Sequence, residues 1–137
     1  MDVTQLPFNR LIGLEAPAGD EFLVSLPEGP QYGNHLGTVH AGALLAVAEA
    51  ASGAFLVKHF GSGAGFVPVV RRLEAKFRKP ANGRVAARST VPAEEVARWS
   101  ADLAARGRLS APVNIEVVDG SGVIVLTATV EWFVTRA

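Results

Sequence analysis

The stretch from Thr38 to Phe60 constrains the fold most, because it contains no proline and is rich in alanine and leucine. Such a composition favours a helix, which at 1.5 Å per residue could be about 30 Å long. Apolar residues lie on every side of it between Ala41 and Val57, which is typical of a helix enclosed by its fold or spanning a membrane. Glu49 and Ser52 in its interior disfavour a span. We therefore predict a central, buried helix.

Strands are predicted on both sides of this helix. Before it, Leu11 to Leu14 and Phe22 to Leu26 are short apolar stretches broken by turn-forming residues. After it, Phe66 to Arg78 alternates between two faces. One face carries Val69, Leu73, Ala75 and Phe77, and the other carries Arg72, Glu74, Lys76 and Arg78. The turn-forming run Lys79 to Gly83 leads to a candidate strand from Arg84 to Val91, which predicts a hairpin.

The rest of the chain predicts one more helix and one more hairpin. Pro92 to Arg106 has helical spacing, with Val96, Trp99 and Leu103 on one side. The branched stretches Val113 to Val118 and Val123 to Val134 are joined by Asp-Gly-Ser-Gly, a strong hairpin signal. Gly61 to Gly65 is expected to be a flexible loop. The order of elements predicts an α+β fold, an antiparallel sheet wrapped around one apolar helix.

Length and charge narrow the class of protein. A chain of 137 residues suits one domain, here residues 1–137. Thirteen basic and thirteen acidic residues cancel, which disfavours nucleic-acid binding. The N-terminal residues lack the pattern of a secretory signal, so we expect a cytoplasmic protein without membrane attachment. The chain has no cysteine, and His35, His40 and His59 lack metal-ligand spacing, so no metal site is predicted.

Glu49 is the most informative single residue. It lies in mid-helix, its neighbours on the same face are apolar or glycine, and no basic residue is near it in sequence. Burying an ionised carboxylate without a partner costs several kcal/mol, so such a group is paired, protonated or exposed to a cleft. A cleft implies function. The alternative is a salt bridge to Arg71 or another distant arginine.

A glycine-punctuated loop from Gly33 to Gly42 leads into the helix start. Free backbone N–H groups and the helix dipole collect there, so the Ala41 N–H could stabilise an oxyanion. Thr38, if it is the N-cap, could accept that N–H and remove it from use. Each feature also has a structural explanation: an ordinary turn and cap for the loop, a turn residue for Asn34, and a backbone hydrogen bond for His40.

Taken together, Asn34, Gly37-Thr38, His40-Ala41-Gly42 and Glu49 resemble the signature of hotdog-fold acyl-CoA thioesterases of the phenylacetyl-CoA and 4-hydroxybenzoyl-CoA type. The resemblance covers nearly the whole chain and implies the hotdog fold, with no cofactor. It implies that Asn34 positions the thioester or the water and that the Ala41 N–H polarises the thioester carbonyl. Glu49 would act as base or nucleophile, and His40 and Gly42 would bind substrate.

The chain departs from that signature at three positions. Ala41 stands where the family pattern usually has the first glycine of His-Gly-Gly. The phenylacetyl-CoA branch usually has aspartate in place of Glu49. The 4-hydroxybenzoyl-CoA branch uses glutamate with a hydroxyl one turn later, where this chain has Gly53, and Ser52 is one position away.

Two other function classes remain open beside hydrolysis of an acyl-CoA or aryl-CoA. One is a non-catalytic module that binds or senses acyl-CoA. The other, an enoyl-CoA hydratase, is disfavoured because that chemistry needs a paired Asp and His motif, which this sequence lacks. Arg78, Lys79 and Arg84 are candidate contacts for CoA phosphates, although a solvated strand end is the favoured explanation for them.

The resemblance also implies a homo-oligomer, a dimer or a dimer of dimers, whose sites are each built from two chains. The strand from Phe66 to Arg78 agrees with this expectation. Antiparallel self-pairing about Glu74 or a neighbour can bring opposite charges close together.

Overall fold

One antiparallel sheet of five strands curls around one long helix. The computed structural model describes residues 1–61 and 65–137. The helices are α1 (Pro7–Ile12), α2 (Ala41–Phe60) and α3 (Ala93–Arg106), with 3-10 turns at Val3–Gln5 and Pro30–Tyr32. The strands are β1 (Val24–Leu26), β2 (Phe66–Phe77), β3 (Val85–Ser89), β4 (Arg108–Asp119) and β5 (Ile124–Arg136). Their order in the sheet is β1-β3-β4-β5-β2. The predicted fold class is confirmed.

Helix α2 has one side buried against the sheet and one side that the described part of the chain covers only in part. The buried side consists of Leu44, Val47, Ala48, Ala50, Ala51, Ser52, Phe55 and Leu56. The partly covered side, called the open stripe below, consists of Gly42, Leu45, Ala46, Glu49, Gly53 and Val57, all at least partly exposed. By length and hydropathy α2 would also qualify as a membrane span, but here its buried side forms the core. The predicted enclosure therefore holds for one side of α2 within a single chain.

The N-terminal prediction was half right. Phe22 to Leu26 contains β1, as expected, but Leu11 belongs to α1 and no strand spans Leu11 to Leu14. Pro7 occupies the first turn of α1, and Gly13 ends it in the left-handed conformation at φ 80°, so both ends of a short helix are encoded there. Only Glu15 retains strand-like pairing, as an isolated bridge to Ser25.

The predicted hairpin between β2 and β3 is wrong, because β5 and β4 lie between these strands. The connection from Lys79 to Gly83 instead crosses from one side of the sheet to the other past the start of α2. There the Ala81 carbonyl accepts the Val39 N–H at 2.8 Å. This crossing brings the end of β2 next to the loop that precedes α2.

Strand β2 ends one residue earlier than predicted, and its alternation is interrupted. The pairing with β5 shifts between Val70 and Arg72, so the helix-facing residues change parity at this bulge. Val69 is paired with Phe133 and therefore lies on the outer face, whereas Leu73 is paired with the buried Val130. The predicted common face of Val69 and Leu73 is thus wrong.

The C-terminal predictions are confirmed. Helix α3 packs through Trp99, whose ring meets Phe55 of α2 edge-on with 6.5 Å between centroids. Strands β4 and β5 form the expected hairpin. Strand β4 begins at Arg108, before the predicted start at Val113. The predicted loop from Gly61 to Gly65 lies partly outside the described residues.

Candidate active site

Asn34 organises the loop before α2. Its Oδ1 accepts the N–H groups of Leu36 at 2.9 Å and Thr38 at 3.0 Å, and its Nδ2 donates to the Thr38 Oγ1 at 2.8 Å. The loop turns at Gly37, whose φ of 77° is left-handed. Both ends of the Asn34 amide are therefore engaged inside the loop, the turn-forming role considered above. Its contact with substrate stays a prediction.

The N-cap of α2 is His40. Its Nδ1 accepts the Gly42 N–H at 2.8 Å, and its carbonyl accepts the N–H groups of Ala43 and Leu44 at 3.0 and 3.1 Å. A Cβ on Gly42 would lie 3.2 Å from that Nδ1, so a larger residue there would crowd the cap. Because the Nδ1 accepts this hydrogen bond, the tautomer that fits is the one with the ring proton on Nε2.

The arrangement leaves the Ala41 N–H available. Among the residues described, no acceptor bonds to it, whereas the next three amides of the first turn are all engaged. Thr38 is not the N-cap, and its hydroxyl accepts from Asn34 instead. Ala41 is exposed, so an outside acceptor can reach this donor at the positive end of the helix dipole.

Two grooves flank the helix start. The first, called the basic groove, has a volume of about 280 Å³ and is lined by Ala41, Asn34 and Thr38 together with Phe77, Arg78 and Lys79. The second, called the α1 groove, has a volume of about 500 Å³ and contains His40, Gly42 and Ala46. Arg84 belongs to neither groove and pairs with Glu15 at 2.7 Å. Of the three basic candidates, only Arg78 and Lys79 lie near Ala41.

Glu49 lies in the middle of the open stripe. Burial raises the pKa of its carboxyl above the ordinary value, because desolvation disfavours the ionised form. No ion pair within residues 1–61 and 65–137 includes Glu49. The Arg71 guanidinium, the alternative partner, lies over the Phe133 ring, 5.2 Å from its centroid, on the outer face of the sheet. Among the described residues of one chain, Glu49 is thus a desolvated carboxylate without a compensating cation.

A buried hydrogen-bond chain holds the turn that carries Glu49. The Trp132 Nε1–H donates to the Ser52 Oγ at 2.9 Å, and the Ser52 hydroxyl donates to the Glu49 carbonyl at 2.6 Å. Ser52 is fully buried, so its hydroxyl points into the core and away from the stripe. The sequence signal for Ser52 was its position three residues after Glu49, but nothing local identified Trp132 as its partner.

Ala41 and Glu49 lie too far apart within one chain to act on the same atom. They are eight residues apart on a continuous helix, which corresponds to about 12 Å along its axis. His40 and Gly42 lie next to Ala41 at the helix start, so the predicted site residues form two groups. No cluster of three or more potential metal ligands occurs among the residues described.

Solved structures with this architecture belong to the hotdog class, including members of the thioesterase superfamily. The Pseudomonas aeruginosa protein PA5026, of unknown function and described as a probable thioesterase, has a TM-score of 0.82 and 24% identity, over 98% of this chain and 91% of that one. OLEI01261 from Chlorobaculum tepidum TLS has a TM-score of 0.82 and 20% identity, over 97% and 88%. BH2602 from Bacillus halodurans, solved with CoA, has a TM-score of 0.66 and 24% identity, over 93% and 74%.

This chain therefore has the hotdog fold, as its sequence motifs implied. The model of the family described as domain of unknown function DUF4442 matches residues 13–134, and the chain belongs to that family. No curated protein matches it.

Proposed function

We propose that the protein hydrolyses an acyl-CoA or aryl-CoA thioester to the free acid and CoA. The observation that carries the proposal is Glu49, a desolvated carboxylate without a cation on a helix face that the chain leaves open. Perturbed acids of this kind are characteristic of catalytic sites. The structural likeness to PA5026, a probable thioesterase, supports a thioester substrate. The likeness to BH2602, which was solved with CoA, supports the CoA portion.

The reaction needs one carboxylate, as base or nucleophile, and one N–H group that donates a hydrogen bond to the oxyanion. As a general base, the Glu49 carboxylate takes a proton from water while the water oxygen bonds to the thioester carbonyl carbon. The Ala41 N–H stabilises the resulting oxyanion. When the C–S bond breaks, the departing thiolate takes the proton back from Glu49. As a nucleophile, the Glu49 carboxylate would instead attack the carbonyl carbon and expel the CoA thiolate, and water would hydrolyse the resulting mixed anhydride to the free acid and Glu49.

Each site is proposed to combine two protomers. Because about 12 Å of helix separates Ala41 from Glu49 within one chain, the Ala41 N–H of one protomer would serve with the partner's Glu49. A dimer whose α2 helices pack through the open stripe in opposite directions meets this requirement. It would also cover the apolar side of α2 that one chain leaves exposed.

Strand β2 offers the edge for such a dimer. It pairs with β5 on one side only, runs for 12 residues, and exposes Val67, Val69, Val70 and Phe77. A long, open strand edge is prone to pair with another strand, and the charges that β2 also exposes at Arg72, Glu74 and Lys76 bear on the register. Antiparallel pairing centred on Leu73 would put Arg72 opposite the partner's Glu74, whereas pairing centred on Glu74 would oppose Arg72 with the partner's Lys76. We therefore place the two-fold axis at Leu73.

The test is release of free CoA thiol from a panel of acyl-CoAs and aryl-CoAs. Wild type should turn over at least one of them, and Glu49→Gln should lower kcat by about 10² to 10⁴. Circular dichroism and thermal melting establish that the variant is folded. CoA-thioester binding without turnover by wild type would instead identify the non-catalytic module.

A further inference from the structure

The α1 groove combines one wall from α1 with another from the start of α2. Phe8 and Leu11 of α1 line it, although 62% and 81% of their surface is exposed. They are three residues apart and so share one face of α1. The remaining lining is Ile12, Leu26, Gln31, Tyr32, Gly33, His40, Gly42, Ala43 and Ala46. Single exposed apolar residues are common, but two on one helix face beside a mainly apolar groove indicate a binding surface.

Helix α1 is anchored in position. The Asn9 Nδ2 donates to the Val3 carbonyl at 2.8 Å and is buried. The Tyr32 hydroxyl donates to the Ile12 carbonyl and connects the end of α1 to the segment before α2. Phe8 and Leu11 are therefore presented from a fixed element, and the groove exists before any ligand binds.

The groove adjoins the Ala41 half of the proposed reaction centre. His40 and Gly42 in its wall flank Ala41, whose N–H is proposed to serve with the partner's Glu49. On the other side of the helix start, the basic groove contains the Ala41 donor with Arg78 and Lys79. The two grooves meet at Ala41 and Gly42, and of the two only the basic groove contains Arg78 and Lys79.

We propose that the α1 groove is the acyl subsite and that it selects aliphatic acyl chains of medium length over short ones. A thioester bound at Ala41 would extend its acyl chain toward Phe8 and Leu11, and its CoA portion past Arg78 and Lys79. The volume of about 500 Å³ is within the range of small-molecule sites. This proposal rests on the proposed thioester hydrolysis for the direction of the substrate.

The test compares Leu11→Ser and Phe8→Ala with a control, Val123→Ser, which changes an exposed valine between β4 and β5. The ratio of kcat/KM for decanoyl-CoA over acetyl-CoA should fall about tenfold in both α1 variants and stay within about twofold in the control. In parallel, calorimetry with S-decyl-CoA, a thioether that cannot be hydrolysed, should show a similar rise in Kd. Thermal melting establishes that each variant is folded.

The binding arm separates this proposal from the proposed function. In one outcome, wild type turns over no thioester and still binds S-decyl-CoA with a Kd that rises in the α1 variants and not in the control. That result would support the acyl subsite and contradict thioester hydrolysis. If turnover occurs and both measurements are insensitive to Phe8 and Leu11, the subsite is wrong and the hydrolase stands. If Leu11→Ser weakens dimerisation and leaves chain-length preference unchanged, a second copy of the chain occupies the groove and the subsite is again wrong.

Discussion

The start and the middle of α2 differ in how each obtains an unsatisfied group. At the start, polar contacts from the preceding loop take every first-turn amide except that of Ala41. In the middle, Glu49 lacks a partner because its neighbours are apolar and the side of α2 that carries it faces away from the sheet. The Ala41 N–H is the one donor that a polar network leaves free, whereas the Glu49 carboxylate lies where no polar network exists among the described residues. The comparison teaches that a single helix can carry both halves of a site without bringing them together.

Second only to Glu49→Gln, the largest effect is expected from deleting the donor at the helix start. Ala41→Pro removes the N–H, and the extended backbone of His40, with φ −60° and ψ 139°, suits a residue before proline. We expect kcat to fall by about 10² to 10³, as for loss of an oxyanion-hole donor. Ala41→Gly is the matched control, which keeps the N–H and should keep activity. A folded Ala41→Pro protein with wild-type activity would rule out this donor.

Mixing defects from the two ends of the helix tests whether they meet across protomers. Ala41→Pro and Glu49→Gln proteins, each inactive, are denatured and refolded together at equal concentration. About half of the dimers should then be mixed, and each mixed dimer should contain one intact site, so roughly a quarter of sites recover. Thioesterase rates of the mixture and of each variant refolded alone give the result. Mixed dimers without recovery would show that Ala41 and Glu49 do not share a site across chains.

A smaller effect is expected at the β2 edge, where the register of the dimer decides the sign. With the axis at Leu73, Arg72→Glu opposes two carboxylates at each of two positions and should raise the dimer Kd about tenfold. Arg72→Glu combined with Glu74→Arg should restore it. Sedimentation equilibrium measures both. With the axis at Ala75, Arg72 would lie opposite the partner's Arg78, and Arg72→Glu would replace a repulsive pair by an attractive one. A lower dimer Kd for Arg72→Glu would therefore indicate an axis at Ala75.

The smallest effect is on stability. Because burial raises the pKa of Glu49 in the folded state, this state binds more protons than the unfolded chain between the two pKa values. The free energy of unfolding therefore falls as pH rises from the ordinary value through the raised one. Glu49→Gln removes this loss, so its Tm should exceed that of wild type at pH 8 by about 4 °C per kcal/mol recovered, and by less at pH 4.

The control for this measurement is Glu94→Gln, which changes an exposed carboxylate in the first turn of α3. It should not give a Tm difference that grows with pH in this way. A Tm difference for Glu49→Gln that is equal at both pH values would mean that Glu49 is not desolvated in solution.

Much of the fold was predictable because it depends on near neighbours. The absence of proline and the apolar residues predicted α2, Asp-Gly-Ser-Gly predicted the β4–β5 hairpin, and the lone carboxylate singled out Glu49. The same local rules failed for Leu11 to Leu14, where Pro7 and Gly13 enclose a helix too short for periodicity to reveal. They failed again at Val69, because a bulge shifts the parity of an otherwise regular strand.

Sequence by itself determined most of the helices and strands and singled out Glu49, since backbone preference and hydrophobic periodicity act over a few residues. The tertiary structure alone decided that β2 pairs with β5 and not with β3, and that the crossing from Lys79 to Gly83 brings Arg78 beside Ala41. It also decided that Trp132 holds Ser52. These contacts join residues far apart in the chain, and they depend on which strands share an edge, a choice made by the packing of the whole sheet against α2.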